Sequence, residues 1–173
     1  MVLSRLILGL LALAPMTGYD IKRHLDSTVR HFWAADKAQV YRALASLVKD
    51  GYATVEVVHQ ETRPDRQEHH ITEAGRAALH EWLASPLSVP AERDPFLARA
   101  FFAGELGRDE VLDLLAQRRA HTEQLLAALT AMQRAPGAAT DRSAYLRNAT
   151  LENGLAHARA ELAWLDTVER NLP

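Results

Sequence analysis

The chain has 173 residues, a formal net charge of −2 and no cysteine, which excludes disulfides, thiolate chemistry and zinc sites built on cysteine. Apolar residues make up 48% of it, as in globular proteins, and no apolar run approaches the roughly 20 residues that span a bilayer. Because the net charge is slightly negative, any contact with nucleic acid must come from local basic patches.

The first predicted element, residues 3–14, admits two interpretations. One basic residue, an apolar run and the triplet Ala12–Ala14 outline a secretory signal peptide. The alternative is a buried helix that ends at Pro15, since a residue before proline is disfavoured in a helix. Thr17 with Asp20 three residues later forms a capping-box pattern that starts a second helix at once. This favours a folded helical corner, and we expect a cytoplasmic protein.

Two further helices are predicted at residues 18–27 and 37–50. The first should bury Tyr19, Ile21 and Leu25. The second begins after Asp36 and ends at Gly51, and its apolar residues recur at helical spacing on one face. These residues are Val40, Ala43, Leu44, Leu47 and Val48.

A β-hairpin is predicted next. Residues 52–58 alternate β-branched and polar side chains, and residues 68–71 form a second short strand after a polar loop that contains Pro64 and Asp65. Thr72 then caps a helix that runs to about residue 84. The element order is three helices, a hairpin and a fourth helix.

The second half of the chain is predicted to be helical throughout, at residues 95–105, 108–133 and 141–172. We place a domain boundary between residues 85 and 86, in a proline-containing loop. The fold class is therefore mainly α with a small β-hairpin. An N-terminal domain spans residues 1–85 and a helical C-terminal domain spans residues 86–173.

The last predicted helix has leucines in alternating four- and three-residue steps, a pattern that packs helix against helix. This seam has two interpretations: packing within one chain, or a bundle shared between two subunits in a homodimer. The leucines assigned to dimerisation are Leu151, Leu155, Leu162 and Leu165.

The face of the 37–50 helix opposite its apolar stripe is suited to DNA. Arg and Lys bond to guanine, Gln to adenine, and a Tyr hydroxyl reaches a phosphate. A solvated helix face is the alternative, and the preceding capped helix together with the following hairpin favours DNA. The candidate residues are Lys37, Gln39, Tyr41, Arg42 and Ser46.

Arg63 and Arg66 in the hairpin, with Lys22 on the second helix, are candidates for contacts to the DNA backbone or the minor groove. A merely solubilising loop is the alternative, because neighbouring acidic residues dilute the charge.

Metal and enzyme sites find little support in the sequence. His69 and His70 are adjacent on a strand, so their side chains point to opposite faces and do not readily bind one ion. No nucleophile elbow, P-loop or dinucleotide motif is present, and we expect neither a cofactor nor an enzyme. Trp33 and Trp164 could line a hydrophobic cavity for a flat effector, although core packing is their usual role.

These residues resemble the winged-helix half of PadR-type transcriptional regulators over about residues 3–84. The family pattern has a Gly-Tyr-acidic start of the second helix, a Tyr-x-x-Leu-x-x-Leu-x-x-x-Gly recognition helix and a closing Thr-x-x-Gly. It is matched here by Gly18, Tyr19 and Asp20, by Tyr41, Leu44, Leu47 and Gly51, and by Thr72 and Gly75.

The resemblance implies a winged helix-turn-helix domain and a helical C-terminal domain that joins a homodimer. It implies a repressor on a pseudo-palindromic operator of double-stranded DNA, released by a small effector. The sequence departs from the family pattern at Lys37-Ala38 and at Glu68-His69, both on the DNA side. A winged-helix module that binds proteins instead of DNA is the alternative.

Overall fold

The computed structural model describes residues 2–59, 65–87, 93–133 and 141–173. The chain forms two compact units, Met1–Val89 and Pro90–Pro173. In the part of the chain that the structure describes, every helix is too short or too polar to span a bilayer.

The described residues of unit 1 form four α-helices and a three-stranded sheet. Side-chain caps fix where three of the helices begin: Thr17, Asp36 and Thr72 each accept a hydrogen bond from the backbone three residues later. The second helix continues into a π-helical turn, Leu25–Val29. The helices are α1 Val2–Leu13, α2 Gly18–His24, α3 Lys37–Lys49 and α4 Glu73–Ala84.

The sheet has one more strand than the predicted hairpin. Strands β1 (Met16–Thr17), β2 (Ala53–Val58) and β3 (Arg66–Ile71) are antiparallel in the order β1-β3-β2. His69 on the central strand pairs with Met16 on one side and Val55 on the other. A strand of two residues has no alternation that a sequence pattern could reveal.

The core of unit 1 is centred on α1. Ile7, Leu8 and Leu11 are almost fully buried against Ile21 and the apolar face of α3. The interpretation of this segment as a buried helix is confirmed. Removing it would expose the inner faces of the other helices.

Three local features differ from expectation or need a glycine. Tyr19 was expected inside, but 67% of it is exposed, because α2 turns Ile21 inward and leaves Tyr19 outside. Gly51 ends α3 with φ +75°, a conformation that favours glycine. A β-carbon on Gly75 would lie 2.1 Å from the carbonyl oxygen of Tyr52, so only glycine allows α4 to start so close to that turn.

Unit 2 is built on two long antiparallel helices. Helices α6 (Arg108–Met132) and α7 (Arg142–Asn171) pack against each other through Leu115, Leu129 and Leu155. The shorter α5, Pro95–Phe102, precedes them and has no buried residue. The mainly α fold class, with its small sheet, is confirmed.

A polar cluster crosses the α6–α7 contact. Arg118 Nε donates to Glu161 Oε1 at 2.7 Å, and the fully buried Thr122 hydroxyl donates to Glu161 Oε2 at 2.7 Å. Arg118 also reaches Asp94, which caps α5. Each buried polar group in this cluster therefore has a partner, as burial requires.

Candidate nucleic-acid interface

Helix α3 presents one face to the core and the opposite face to solvent. Val40, Leu44 and Leu47 are buried. The predicted DNA-binding residues are on the exposed side. They are Lys37, Gln39, Tyr41, Arg42 and Ser46.

The exposed polar side chains of α3 are not equally free. Gln39 Oε1 accepts the backbone N–H of Asp36 at 3.0 Å, which completes a capping box at the helix start. The Ser46 hydroxyl donates to Asp50 at 3.1 Å. Arg42 has neither an ion pair nor a hydrogen bond within the described residues, so its guanidinium is the group most available to a base edge.

Helix α2 begins against Tyr41. A β-carbon on Gly18 would lie 2.9 Å from the Tyr41 ring, so the absence of a side chain allows this close approach. The Lys37 ammonium lies 5.8 Å from the centre of the same ring, within the range of a cation–π interaction. Tyr41 is therefore held between α2 and the first turn of α3.

The start of α2 is fixed by the acidic cap residue. The hydrogen bond from the Thr17 hydroxyl to Asp20, 2.7 Å long, lowers the pKa of that carboxyl, and the nearby Arg23 lowers it further. The predicted backbone-binding residue Lys22 forms an ion pair with Asp26 one turn later. It must exchange this partner for a phosphate to bind DNA.

The hairpin contributes one described cation to this side of unit 1. Arg66 forms an ion pair with Glu68, two residues along β3. Its candidate partner in the hairpin, Arg63, lies outside the described residues. The acidic neighbour reduces the charge that the hairpin offers to DNA.

A cleft of about 700 Å³ lies between α3 and the sheet, and the start of α2 forms a third wall. Its α3 wall carries Tyr41, Ala45 and Lys49, which follow one another at four-residue steps. Its sheet wall carries Gln67 and His69, on one face of β3. The sequence pattern did not predict Lys49 or His69 at a shared site, because their proximity depends on how helix and sheet pack.

The two adjacent histidines occupy opposite faces of β3, as strand alternation predicts. His69 is 8% exposed, and its Nδ1 atom has no hydrogen-bond partner among the described residues. Burial lowers the pKa of His69, opposed by a hydrogen bond to the Met16 backbone. His70 Nε2 lies 3.2 Å from Glu56 on β2. Within the described residues no three metal-ligating side chains come together.

The leucines assigned to dimerisation divide into two groups. Leu155 and Leu165 are 1% and 0% exposed within a single chain, so they belong to the core of unit 2 and have no surface left for a partner. Leu151 and Leu162 are half-buried. For Leu155 and Leu165 the structure therefore favours the intrachain interpretation of the seam.

The two tryptophans assigned to an effector pocket lie in different units. Trp33 packs against the core of unit 1. Trp164 lines a cavity of about 600 Å³ in unit 2, together with Leu97, Phe101 and Val168. Phe96 contacts Trp164 edge to face, with ring centres 6.1 Å apart.

Both halves of the chain match known families. Residues 7–81 match the Transcriptional regulator PadR-like family, and residues 92–172 match the family described as Virulence activator alpha C-term. The negative transcriptional regulator PadR of Bacillus subtilis is 33% identical over 114 residues, which cover 65% of this chain and 63% of the relative. A Mycobacterium tuberculosis protein named a probable transcriptional regulator is 35% identical over 88 residues, 51% of this chain and 47% of the relative. The chain thus spans less than two thirds of either relative.

Solved structures match over nearly the whole chain. Bacillus subtilis PadR in complex with operator DNA superposes with a TM-score of 0.84 at 26% identity, covering 98% of both chains. The virulence activator AphA of Vibrio cholerae superposes with a TM-score of 0.76 at 30% identity, covering 98% of this chain and 97% of AphA. The chain belongs to the PadR-like family of transcriptional regulators, with a C-terminal domain of the virulence activator type.

Proposed function

We propose that this protein is a homodimeric DNA-binding transcriptional regulator that represses its target by occupying a pseudo-palindromic operator. The observation that carries the proposal is the solvent-facing side of α3, where Arg42, which has no ion pair or hydrogen bond among the described residues, stands beside Tyr41 and Lys37. Support comes from Bacillus subtilis PadR, which is named a negative regulator and was solved with operator DNA. A role on DNA also implies a cytoplasmic protein.

The cations of the interface have different roles in this proposal. Arg42 reads a base edge in the major groove, because a free guanidinium binds guanine in two places. Tyr41 and Lys37 reach the backbone near it. Lys22 and Arg66 bind phosphate only after they leave Asp26 and Glu68, so they contribute less than their charge suggests.

In the dimer, the two recognition helices lie about 34–36 Å apart, which is the length of one turn of duplex DNA. The surface for a second copy lies in unit 2, outside the buried seam of Leu155 and Leu165. Phe101 and Phe102 on α5 are 82% and 72% exposed, and aromatic side chains so exposed are typical of an interface. Leu151 and Leu162 are partly exposed and remain candidates for the edge of the dimer interface.

A small hydrophobic effector releases the protein from DNA in this proposal. The cavity beside Trp164 is lined mainly by apolar side chains of α5, α6 and α7, which suits an apolar ligand. Bacillus subtilis PadR, 27% identical to this chain, was solved in complex with p-coumaric acid. Trp33 packs against the core of the other unit and is not among the residues that line this cavity.

The proposal is tested by fluorescence anisotropy of labelled DNA from the region upstream of the protein's own gene, against a scrambled duplex, at two salt concentrations. Selective binding that weakens steeply with salt is expected, because each phosphate contact releases counterions. Weak binding that is equal for both duplexes would contradict the proposal that the protein recognises an operator in this DNA. It would favour a winged helix that binds a protein. The ion pair between Arg66 and Glu68 is the feature that would fit this second function.

A further inference from the structure

Helix α5 is joined to the rest of unit 2 by little apolar packing. It has eight residues, none of them buried, and so short a helix is marginal in water on its own. Phe96 in its first turn meets Trp164 edge to face. Beyond that turn, Leu97, Ala100 and Phe101 line one side of the cavity of about 600 Å³ that α6 and α7 line on the other. Because protein interiors are close-packed, a helix over such a cavity is not fixed by apolar contacts alone.

Arg118 on α6 supplies a polar contact at the first turn of α5. Its Nη2 atom lies 3.2 Å from Asp94 Oδ2, and its guanidinium carbon lies 5.1 Å from the centre of the Phe96 ring. The other carboxylate oxygen, Asp94 Oδ1, accepts the backbone N–H groups of Phe96 at 2.7 Å and of Leu97 at 3.2 Å. One carboxylate therefore both caps α5 and binds the arginine of α6.

Helix α7 fixes the same guanidinium from the other side. Arg118 Nε donates to Glu161 Oε1 at 2.7 Å, and the buried Thr122 hydroxyl donates to Glu161 Oε2. A guanidinium carries five donors in a rigid plane, so it can bind two carboxylates in defined directions at once. Arg118 and Asp94 are only 26% and 30% exposed, so solvent screens this pair less than an ion pair on the surface.

We propose that Arg118 is a positioning residue that fastens α5 to α6 and α7 through Asp94 and so holds Phe101 and Phe102 in the direction that self-association requires. The two rings lie in the last turn of α5 and are largely exposed. Ala103, directly after this turn, is buried, so α5 released at its first turn would pivot there and turn both rings. The effect on assembly rests on the proposed homodimer, whereas the fastening of α5 does not.

The test variant is Asp94→Asn in the full chain. Asparagine caps helices about as well as aspartate does, so its carbonyl oxygen can still accept from the backbone of α5. Its amide group cannot accept a hydrogen bond from Arg118. Arg118→Ala is a poorer choice, because it also takes the cation away from Glu161 and threatens the fold of unit 2.

The matched control is Glu169→Gln. Glu169 lies 3.0 Å from Arg119, the next residue of α6, and these two side chains are 24% and 32% exposed. Arg119 keeps a second partner, Asp166, just as Arg118 keeps Glu161 when Asp94 is changed. The control thus removes a similar ion pair between α6 and α7 without touching α5.

Hydrogen–deuterium exchange of the α5 amides shows whether the helix is held. In Asp94→Asn we expect exchange over residues 96–102 to be about tenfold faster, the effect of losing one hydrogen bond between charged groups. In Glu169→Gln it should stay the same. Each protein is measured at two concentrations, because protection by a second subunit depends on concentration and protection by Arg118 does not.

Sedimentation equilibrium gives the dissociation constant of the dimer. Each dimer needs α5 in place on both subunits, so a loss of the fastened population counts twice, and Asp94→Asn should dimerise about threefold or more weakly. Glu169→Gln should dimerise like the native protein. If Asp94 acts through the exposed rings, then adding Asp94→Asn to Phe102→Ala should weaken the dimer much less than Asp94→Asn alone does.

Unchanged exchange of α5 in Asp94→Asn, or an equal increase in Glu169→Gln, would overturn the proposal. Faster exchange with an unchanged dissociation constant, or full additivity with Phe102→Ala, would refute the effect on assembly. If the native protein is monomeric at every concentration but the exchange pattern holds, the proposed homodimer fails and the fastening of α5 stands. If the dimer forms but the exchange pattern is absent, the fastening fails alone.

Discussion

Gly18 and Tyr41 lie in such close contact that a β-carbon on the glycine would come within 2.9 Å of Tyr41 Cε1. The glycine is the first residue of α2, and the tyrosine is on the exposed side of α3. This contact determines where the phenol ring points. Gly18 at the start of α2 thus also positions a side chain of the neighbouring helix α3.

The first prediction is that Gly18→Ala weakens operator binding by about 0.5–1.5 kcal/mol, the value of one hydrogen bond, because the ring must move away from its phosphate. Stability should change less, since 43% of Tyr41 is exposed and the ring can move into solvent. Gly9→Ala in α1 is the matched control: a β-carbon there meets no atom within 4 Å, and operator affinity should stay the same. Anisotropy and urea unfolding measure the two effects. Equal affinity of the Gly18→Ala protein and the native protein would contradict this prediction.

The second prediction concerns Arg42 on α3, whose guanidinium has no ion pair or hydrogen bond within the described residues. Arg42→Ala should weaken operator binding by about 1–3 kcal/mol and relax the preference at one base pair, because Arg42 reads a base edge. Arg76→Ala, on the exposed side of α4, is the control for a change of net charge and should have a much smaller effect. Anisotropy on a set of single-base operator variants measures both. A uniform loss across these variants would mean that Arg42 binds phosphate.

The third prediction concerns pH and His69. Burial lowers the pKa of the His69 imidazole below its ordinary value of 6.5, so the unfolded chain takes up this proton at higher pH than the folded protein. The contribution of His69 to the free energy of unfolding is therefore complete above pH 6.5. It is lost as the pH falls through the lower pKa that His69 has in the folded protein.

Urea unfolding at about pH 7.5 and about pH 5.5 tests this, because the free energy of unfolding should fall between the two and the fall should be smaller in His69→Gln. His70→Gln should retain most of the decrease, since burial is the larger cause of the lowered pKa of His69 and the charge of His70 a smaller one. An equal decrease in the His69→Gln protein and the native protein would show that other groups cause it.

The fourth prediction separates the core of unit 2 from its surface. Leu165→Ala should lower the free energy of unfolding by about 2–5 kcal/mol, because a fully buried leucine leaves a cavity. Phe101→Ser should cost little stability within one chain but shift the protein toward monomer. Urea unfolding and light scattering after size exclusion measure the two properties. A stable monomer from Leu165→Ala would restore the intersubunit interpretation of the seam.

Capping residues and apolar periodicity made the helices of unit 1 predictable. Thr17, Asp36 and Thr72 each start a helix where the sequence indicated, since a cap acts over only three residues. The strand Met16–Thr17 was missed because its pairing with β3 joins residues about fifty positions apart. Tyr19 was misplaced because the periodicity of so short a helix does not determine whether Tyr19 faces the core together with Ile21.

The candidate site was predictable only in part, because a sequence pattern shows neighbours along one helix but not contacts between distant segments. Lys37, Tyr41 and Arg42 share one helix, so their common face follows from helical spacing alone. The pairing of Gln39 with Asp36 and of Lys22 with Asp26 is also local, yet the sequence did not show that these side chains prefer a neighbour to solvent. His69 and Lys49 meet in one cleft only because helix and sheet pack together.

Thr17 belongs to two structures at once. Its backbone pairs with Glu68 on the central strand, and its hydroxyl caps α2 beside the recognition helix. A shift of the hairpin along its own axis would therefore break either the pairing of Thr17 with Glu68 or the cap of α2. The position of the hairpin and the start of α2 are coupled through this one residue.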